Sequence, residues 1–311
     1  MSNDDSITTA KKVYNCECTD FAFVAADTVS LEFIWPGPVP RSGQFFLIKP
    51  GRTGVFLGRP VSVAGFRARK SSWSGKTRAS LRPVDRRSGR IERRMKSDPG
   101  IKYDRRINAD RRFETGGILR FIVTRRGRGS CDIVDIRPGE EAELIGPLGN
   151  SWPLDDIPPD FFRGKAVAGP VALVGGGIGV APLLLIAQEL GKKAYDFYAG
   201  FRTGSFGLEN IKPKALIIST EDGSQGVKGR ILDFFTPKGY CKVFACGPEP
   251  MLKAVSDLCI AGGVPCYVSI EKHMACGVGA CLGCKVQTTK GSLCCCSDGP
   301  IFNAEEICFE E

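Results

Sequence analysis

The sequence contains a single histidine, His273, in 311 residues. Catalysis resting on a histidine base, or a metal held by several imidazoles, is therefore not expected. Long apolar runs are also missing. The longest lies around Pro182–Ala187, far short of the roughly 18 residues a membrane-spanning helix needs. The chain opens Met1-Ser-Asn-Asp-Asp5, without a basic stretch followed by an apolar one, so no export signal is expected. The 14 cysteines then read as thiols of a reducing compartment, the cytoplasm, rather than as disulfides.

Acidic residues are the minority, with 43 Lys/Arg against 34 Asp/Glu, but this +9 excess is local. Between Arg67 and Arg112 stand seventeen basic and five acidic residues, so the rest of the chain is slightly acidic. That stretch repeats acidic-Arg-Arg units at Asp85, Glu92, Asp104 and Asp110, and it has few large apolar residues. Residues 66–116 read as an exposed, largely disordered insertion. Aromatic interleaving is thin (Trp73, Tyr103 and Phe113), too thin to make nucleic acid an expected partner. A scaffold that binds polyanions through this segment is the non-enzymatic alternative.

Either side of the insertion the rhythm is regular. Short segments at Phe21–Ala25, Val29–Ile34, Gln44–Ile48, Arg59–Val63 and Ile118–Thr124, broken by Gly and Pro, predict an antiparallel β-barrel over residues 1–160. From 165 to 264 strands alternate with helices. Strands are expected at Val171–Val174, Asp196–Ala199, Ala215–Ser219 and Lys242–Ala245. Helices are expected at Pro182–Leu190, Ile231–Phe235 and Pro250–Ala261, the pattern of a doubly wound parallel sheet. Residues 265–311 form a third, small unit.

Seven of the fourteen cysteines fall in the last 36 residues. Cys276, Cys281 and Cys284 have C-x4-C-x2-C spacing and are followed by Cys294, Cys295 and Cys296, the plant-type [2Fe–2S] ligand pattern. Gly277, Gly279 and Gly283 allow the left-handed turns that aim amides at sulfur. A zinc site usually brings two C-x2-C pairs, and only Cys281/Cys284 makes one. Three adjacent thiols compete for the fourth position. The Ser297-Asp-Gly-Pro300 turn favours Cys296, with Cys294 or Cys295 as alternatives.

Two further patterns suggest anion binding. Gly175-Gly176-Gly177-Ile178-Gly179 follows a buried strand and opens a helix, where glycine lets a backbone approach a pyrophosphate. A tight connection without ligand is the plainer reading. Arg59-Pro60-Val61-Ser62 and Arg126-Gly127-Arg128-Gly129-Ser130 combine guanidinium, hydroxyl and turn amides.

Taken in order, the barrel with R-P-x-S, the GGGIGVAPL turn and Cys246-Gly247-Pro248 resemble the ferredoxin–NAD(P) reductase superfamily. The terminal segment Ser269-Ile-Glu-Lys-His-Met-Ala-Cys276 to Cys296-Ser-Asp-Gly-Pro-Ile-Phe302 narrows the resemblance to the electron-transfer subunits of NAD-linked (type B) dihydroorotate dehydrogenases. Such a resemblance implies FAD held by Arg59, Pro60, Val61 and Ser62, by Ile122, Val123 and Thr124, and by Gly127, Gly129 and Ser130. It implies NAD over Gly175, Gly176, Gly177, Gly179, Cys246, Gly247 and Pro248, and a [2Fe–2S] cluster on Cys276, Cys281, Cys284 and Cys296. Thr124 stands where the family has arginine, and the insertion has to loop out from between the two FAD segments. Electrons from the FMN of a separate catalytic subunit would pass through cluster and FAD to NAD+, in a heterotetramer of two subunits of each kind. No side chain is expected to act as a general acid or base, and the chain alone would not oxidise dihydroorotate. A related subunit serving a sulfide dehydrogenase, hydrogenase or sulfite reductase is the alternative; transhydrogenase-like relatives are expected to carry Asp where Cys276 stands.

Overall fold

The computed structural model describes residues 12–51, 54, 56–68, 116–155, 157 and 169–309. Six antiparallel strands form the first unit: β1 (Val13–Ala25), β2 (Thr28–Trp35), β3 (Phe45–Pro50), β4 (Arg59–Ala68), β5 (Gly117–Thr124) and β6 (Glu141–Leu148). They close into a barrel in the order β1-β2-β5-β4-β3-β6. Alternation along the strands aims Val29, Leu31, Phe33 and Trp35 at the interior, where they meet Cys16, Cys18, Phe46 and Phe121. Trp35 and Phe46 pack edge to face at 4.9 Å between ring centroids, and Phe46 and Phe121 at 5.6 Å. A seven-residue helix, α1 (Arg128–Val134), lies between β5 and β6.

Strand β4 runs on to Ala68, which pairs with Gly117 of β5. Phe66–Ala68, expected as the start of the arginine-rich insertion, therefore belong to the barrel. The disorder expected for that segment falls on residues 69–115, outside the described residues.

The second unit is a seven-stranded sheet in the order β10-β9-β8-β7-β11-β12-β15. Its strands are β7 (Val171–Gly176), β8 (Tyr195–Phe201), β9 (Ala215–Thr220), β10 (Val227–Lys228), β11 (Lys242–Cys246), β12 (Cys266–Ser269) and β15 (Ile301–Asn303). All neighbours run parallel except β12 and β15. Central β7 is buried along its whole length, as parallel strands covered on both faces must be. Helix α2 (Ala181–Leu190) covers one face with Leu183, Leu184 and Ile186, and α3 (Glu249–Gly262) covers the other with Leu252, Val255 and Cys259. Pro182 sits in the first turn of α2, where its missing N–H costs nothing. The helix expected at Ile231–Phe235 is a single 3₁₀ turn over Ile231–Phe234, too short to propagate an α-helical ladder.

The last unit contains the hairpin β13 (Lys285–Thr288) and β14 (Gly291–Cys294). It is not separate from the sheet: β12 and β15 flank it in sequence, and both are sheet strands. Barrel, sheet and hairpin share one apolar core through Phe45, Leu47 and Leu148, Val243 and Val268, and Cys284 and Val286. The fold class is the expected one, a β-barrel, a doubly wound α/β sheet and a small C-terminal part. Among the described residues no helix is long and apolar enough to cross a membrane.

Asn150 staples the barrel to the chain's end. Its side-chain amide donates to Asp298 O at 2.9 Å and Ile301 O at 2.8 Å, and it accepts from Ile301 N at 3.0 Å. Removing the amide strands three backbone groups. Asn150→Ala is expected to cost about 2 kcal/mol, read as a lower urea midpoint, whereas an unchanged midpoint would show that the staple adds no stability.

Candidate functional site

Three constellations converge, and each is built by a different unit. In the barrel, β4 presents Arg59, Pro60, Val61 and Ser62 half-buried at its start. Gly127 caps α1, and Ser130 Oγ closes the turn by accepting from Arg126 N at 2.9 Å and Gly127 N at 3.0 Å. The amides of Arg128, Gly129 and Ser130 then have no acceptor within the helix. The Arg59 guanidinium lies against Gly129, where a Cβ would overlap Nε and stand 2.6 Å from Cζ. Thus two motifs some 70 residues apart in sequence bring a guanidinium and open helix amides together. That donor set suits a diphosphate.

Ile122 and Val123 contribute differently from the other barrel residues. They are 2% and 6% exposed, and their side chains pack in the core. Ile122 meets the α2 side and Val123 the barrel interior. Only Thr124 of that trio is half-exposed, and its hydroxyl shares a 2.9 Å hydrogen bond with Thr28. A cofactor meeting this strand would meet its backbone.

In the sheet, β7 is the strand where the order reverses, since β8 and β9 lie on one side and β11 and β12 on the other. The carboxyl ends of β7 and β11 flank the crevice where doubly wound sheets bind nucleotides. Gly175 is the register partner of Cys246 there. The glycines divide into two kinds. A Cβ on Gly176 would stand 2.6 Å from Met251 Sδ, and one on Gly179 2.6 Å from Gly247 N, so these two let the turn pack against the Cys246-Gly247-Pro248 loop. Gly177 has φ +56° and nothing near it, which leaves it open to a ligand. Burial pushes the Cys246 thiol up, far from thiolate character. Asp196, near the offset of a ribose-binding acid, is instead engaged by Tyr240 Oη at 2.9 Å and Ala215 N at 3.0 Å.

At the C-terminus the loop 276–284 gathers sulfur around backbone amides. Val278 N and Cys281 N each donate to Cys276 Sγ at 3.4 Å, Gly279 N to Cys296 Sγ at 3.1 Å, and Cys296 N to Cys284 Sγ at 3.4 Å. The Val278 amide foremost, aided by those of Cys281 and Ala280 and by the Cys281 thiol, lowers the Cys276 thiol to about 6. Cys296 is pushed up to about 12 by burial and by the Cys284 thiol beside it, so it would give up its proton only to an incoming metal. Left-handed angles occur at Gly277 and Gly279 as expected, but the third falls on Leu282 (φ 56°) rather than on Gly283. Cys295 turns away and donates its thiol to Ile270 O at 3.2 Å. The turn after Cys296 is fixed by Asp298, whose Oδ2 accepts from Cys294 N at 2.6 Å.

Among the described residues no three His, Cys, Asp or Glu side chains are arranged to hold a single metal ion. A two-iron cluster spans a wider site than one ion, and four thiols, three of them (Cys276, Cys284 and Cys296) with amides aimed at their sulfurs, fit that group.

Sequence reasoning missed the seat of this loop. A Cβ on Gly277 would lie 2.7 Å from Leu47 Cδ1 and 3.1 Å from Leu148 Cδ1, so the loop rests flat on the barrel. Leu47 pairs in register with Pro60, within the Arg59–Ser62 motif. Two apolar side chains in two barrel strands carry no signal of that contact.

Relatives agree with this arrangement. A family profile for the iron-sulfur cluster binding domain of dihydroorotate dehydrogenase B matches residues 271–308. The electron transfer subunit of dihydroorotate dehydrogenase B (NAD(+)) from Clostridium perfringens is 41% identical over 275 residues, 86% of this chain and 87% of that one. The same subunit from Caldanaerobacter subterraneus subsp. tengcongensis is 30% identical over 294 residues, 92% and 94% of the two chains. In fold, the chain is similar to an NADH-dependent reduced ferredoxin-NADP oxidoreductase (TM-score 0.68, 24% identity, 94% of this chain and 90% of that one). It is also similar to the ferredoxin reductase of carbazole 1,9a-dioxygenase (TM-score 0.53, 19% identity, 82% and 67%).

Three outcomes test the site. Cys296→Ala should abolish the visible absorbance of a reconstituted cluster while Cys294→Ala and Cys295→Ala retain it; loss in either of the latter would move the fourth ligand. Gly129→Ala should displace Arg59 and lower bound flavin at least tenfold, about 1.4 kcal/mol, measured by released flavin fluorescence. In cluster-free protein, alkylation of Cys276 should accelerate as pH rises through about 6, followed by mass spectrometry; a midpoint in the ordinary thiol range would contradict the amide geometry.

Proposed function

The chain belongs to the family of electron-transfer subunits of dihydroorotate dehydrogenase B, and from that premise we propose that it carries electrons from a catalytic subunit to NAD+. Support comes above all from one observation: the loop bearing Cys276, Cys281 and Cys284 rests on Leu47, the register partner of Pro60. When bound, FAD and a [2Fe–2S] cluster supply the exchange between single electrons and a hydride.

The chain's own work is binding, orienting and tuning. In this reading Arg59 and Ser62, with Pro60 and Val61 fixing the strand, orient the flavin phosphates together with Gly127, Gly129 and Ser130. The backbone at Ile122, Val123 and Thr124 lines the same cofactor. Gly177, at the open end of β7, and Gly175, Gly176, Gly179, Cys246, Gly247 and Pro248 around it, shape the nucleotide crevice. Cys276, Cys281, Cys284 and Cys296 hold the cluster, and the amides of Val278, Gly279 and Cys281 stabilise negative charge on its sulfurs. Residues 1–160 thus serve the flavin, 165–264 the nucleotide and 265–311 the cluster. The catalytic partner carries FMN and performs the pyrimidine chemistry in the cytoplasm, in a heterotetramer of two subunits of each kind.

Anaerobic assay of the complex tests the reading. Dihydroorotate and NAD+ should give NADH with the partner present, and stripping the partner away should stop it. Cofactors that bleach with NADH but stay oxidised with dihydroorotate in the intact complex would show that another donor is served.

A further inference from the structure

The tail carries more thiols than a cluster needs. Of Cys294, Cys295 and Cys296 the reading above uses only Cys296 as a ligand, and the middle thiol is neither exposed nor idle. Cys295 is 0% exposed, in the apolar core it shares with Val268 of β12, Ile270 and Phe302 of β15. A thiol is a weak donor, and a buried donor needs an acceptor. Cys295 Sγ finds one in Ile270 O, 3.2 Å away and 25 residues earlier in the chain. Ile270 is itself fixed, since its amide donates to Pro300 O at 2.9 Å.

The backbone holds the same residue from the other side. Cys295 N donates to Cys284 O at 2.9 Å. Cys294 before it is wound into the turn, its carbonyl accepting from Ser297 N at 3.1 Å and Asp298 N at 2.8 Å. Residue 295 therefore bridges the cluster loop at Cys284 and the residue that follows β12.

What the bridge orients is the next amide. Cys296 N points at Cys284 Sγ, and Gly279 N at Cys296 Sγ. Cys284 and Cys296 are 2% and 1% exposed, whereas Cys276 is half-buried and Cys281 exposed. On this dry side no water replaces an amide that turns away, so each N–H···S bond weighs more. An amide aimed at a ligand sulfur stabilises the added negative charge of a reduced cluster and so raises its potential.

Resting on the cluster assignment of the preceding section, we propose that Cys295 is a positioning residue for the cluster. Its thiol, bonded to Ile270 O, holds the 295–296 backbone so that the Cys296 amide faces Cys284 Sγ, and this raises the cluster's reduction potential. The same bond keeps the Cys295 sulfur off the iron and leaves the fourth position to Cys296.

The test is a redox titration of the holo chain without partner, the cluster followed by electron paramagnetic resonance and the flavin by absorbance. Cys295→Ala should keep the cluster's visible absorbance and shift its midpoint to lower potential. At the wild-type midpoint the ratio of reduced to oxidised cluster should fall about threefold or more, the worth of one weak hydrogen bond. Cys295→Val, which fills the site without a donor, should shift likewise. Cys295→Ser, whose hydroxyl donates to the same carbonyl, should return toward the wild-type value. The flavin midpoint should stay in place in all three, which a general loosening of the fold would not allow. Wild-type cluster midpoints in the Ala and Val variants, or a Ser variant shifted as far as they are, overturn the proposal. The titration needs neither dihydroorotate nor NAD+, so a chain that serves another donor still gives these outcomes. A wild-type chain that assembles no cluster overturns the proposal together with the reading beneath it.

Discussion

The contact between Gly277 and Leu47 is the constraint on which the arrangement depends. A loop that wraps a metal cluster has to expose amides inward, and this one does so with left-handed turns at Gly277 and Gly279. Because Gly277 has no side chain, the loop also lies flat on the barrel, against Leu47 of β3 and Leu148 of β6. Strand pairing then fixes the rest: Leu47 faces Pro60, and Arg59 beside it reaches Gly129 at the start of α1. A bulkier residue at 277 would lift the cluster loop from the barrel. Electron transfer between the two sites would lengthen even if each still bound its cofactor.

The nucleotide crevice is tied to the same frame from the other side. β12 runs from the sheet directly into the cluster segment, and β15 returns beside it. The C-terminal part is therefore clamped between two strands of the nucleotide sheet and cannot move independently of it. Asn150 adds the third connection, from the barrel's last strand to the turn after Cys296. Positions of the three sites relative to one another are consequently set by backbone pairing rather than by flexible linkers, which is what carriers that exchange electrons over fixed distances require.

Much of this was legible in the sequence because the signals were local. Strand and helix periods marked the barrel and the sheet, and the cysteine spacing marked the cluster loop. The glycine turn was found, and within it Gly176 and Gly179 pack against Met251 and Gly247 while Gly177 stands open. Ile122 and Val123 could not be told from cofactor-facing residues, since a strand's period does not say which face a ligand takes. The seat on Leu47 depends on a contact between units, which leaves no pattern in either segment alone. Leu282 taking the left-handed angle beside Gly283 runs against residue preference, and tertiary context decided it.

The central claim is that flavin and cluster exchange electrons inside this one chain. Freeze-quenched electron paramagnetic resonance of the holo chain, mixed anaerobically with NADH and without any partner, measures it directly. The account predicts that the reduced-cluster signal grows in step with the loss of oxidised flavin absorbance. Flavin that is reduced while the cluster stays oxidised, until a catalytic subunit is added, would contradict it.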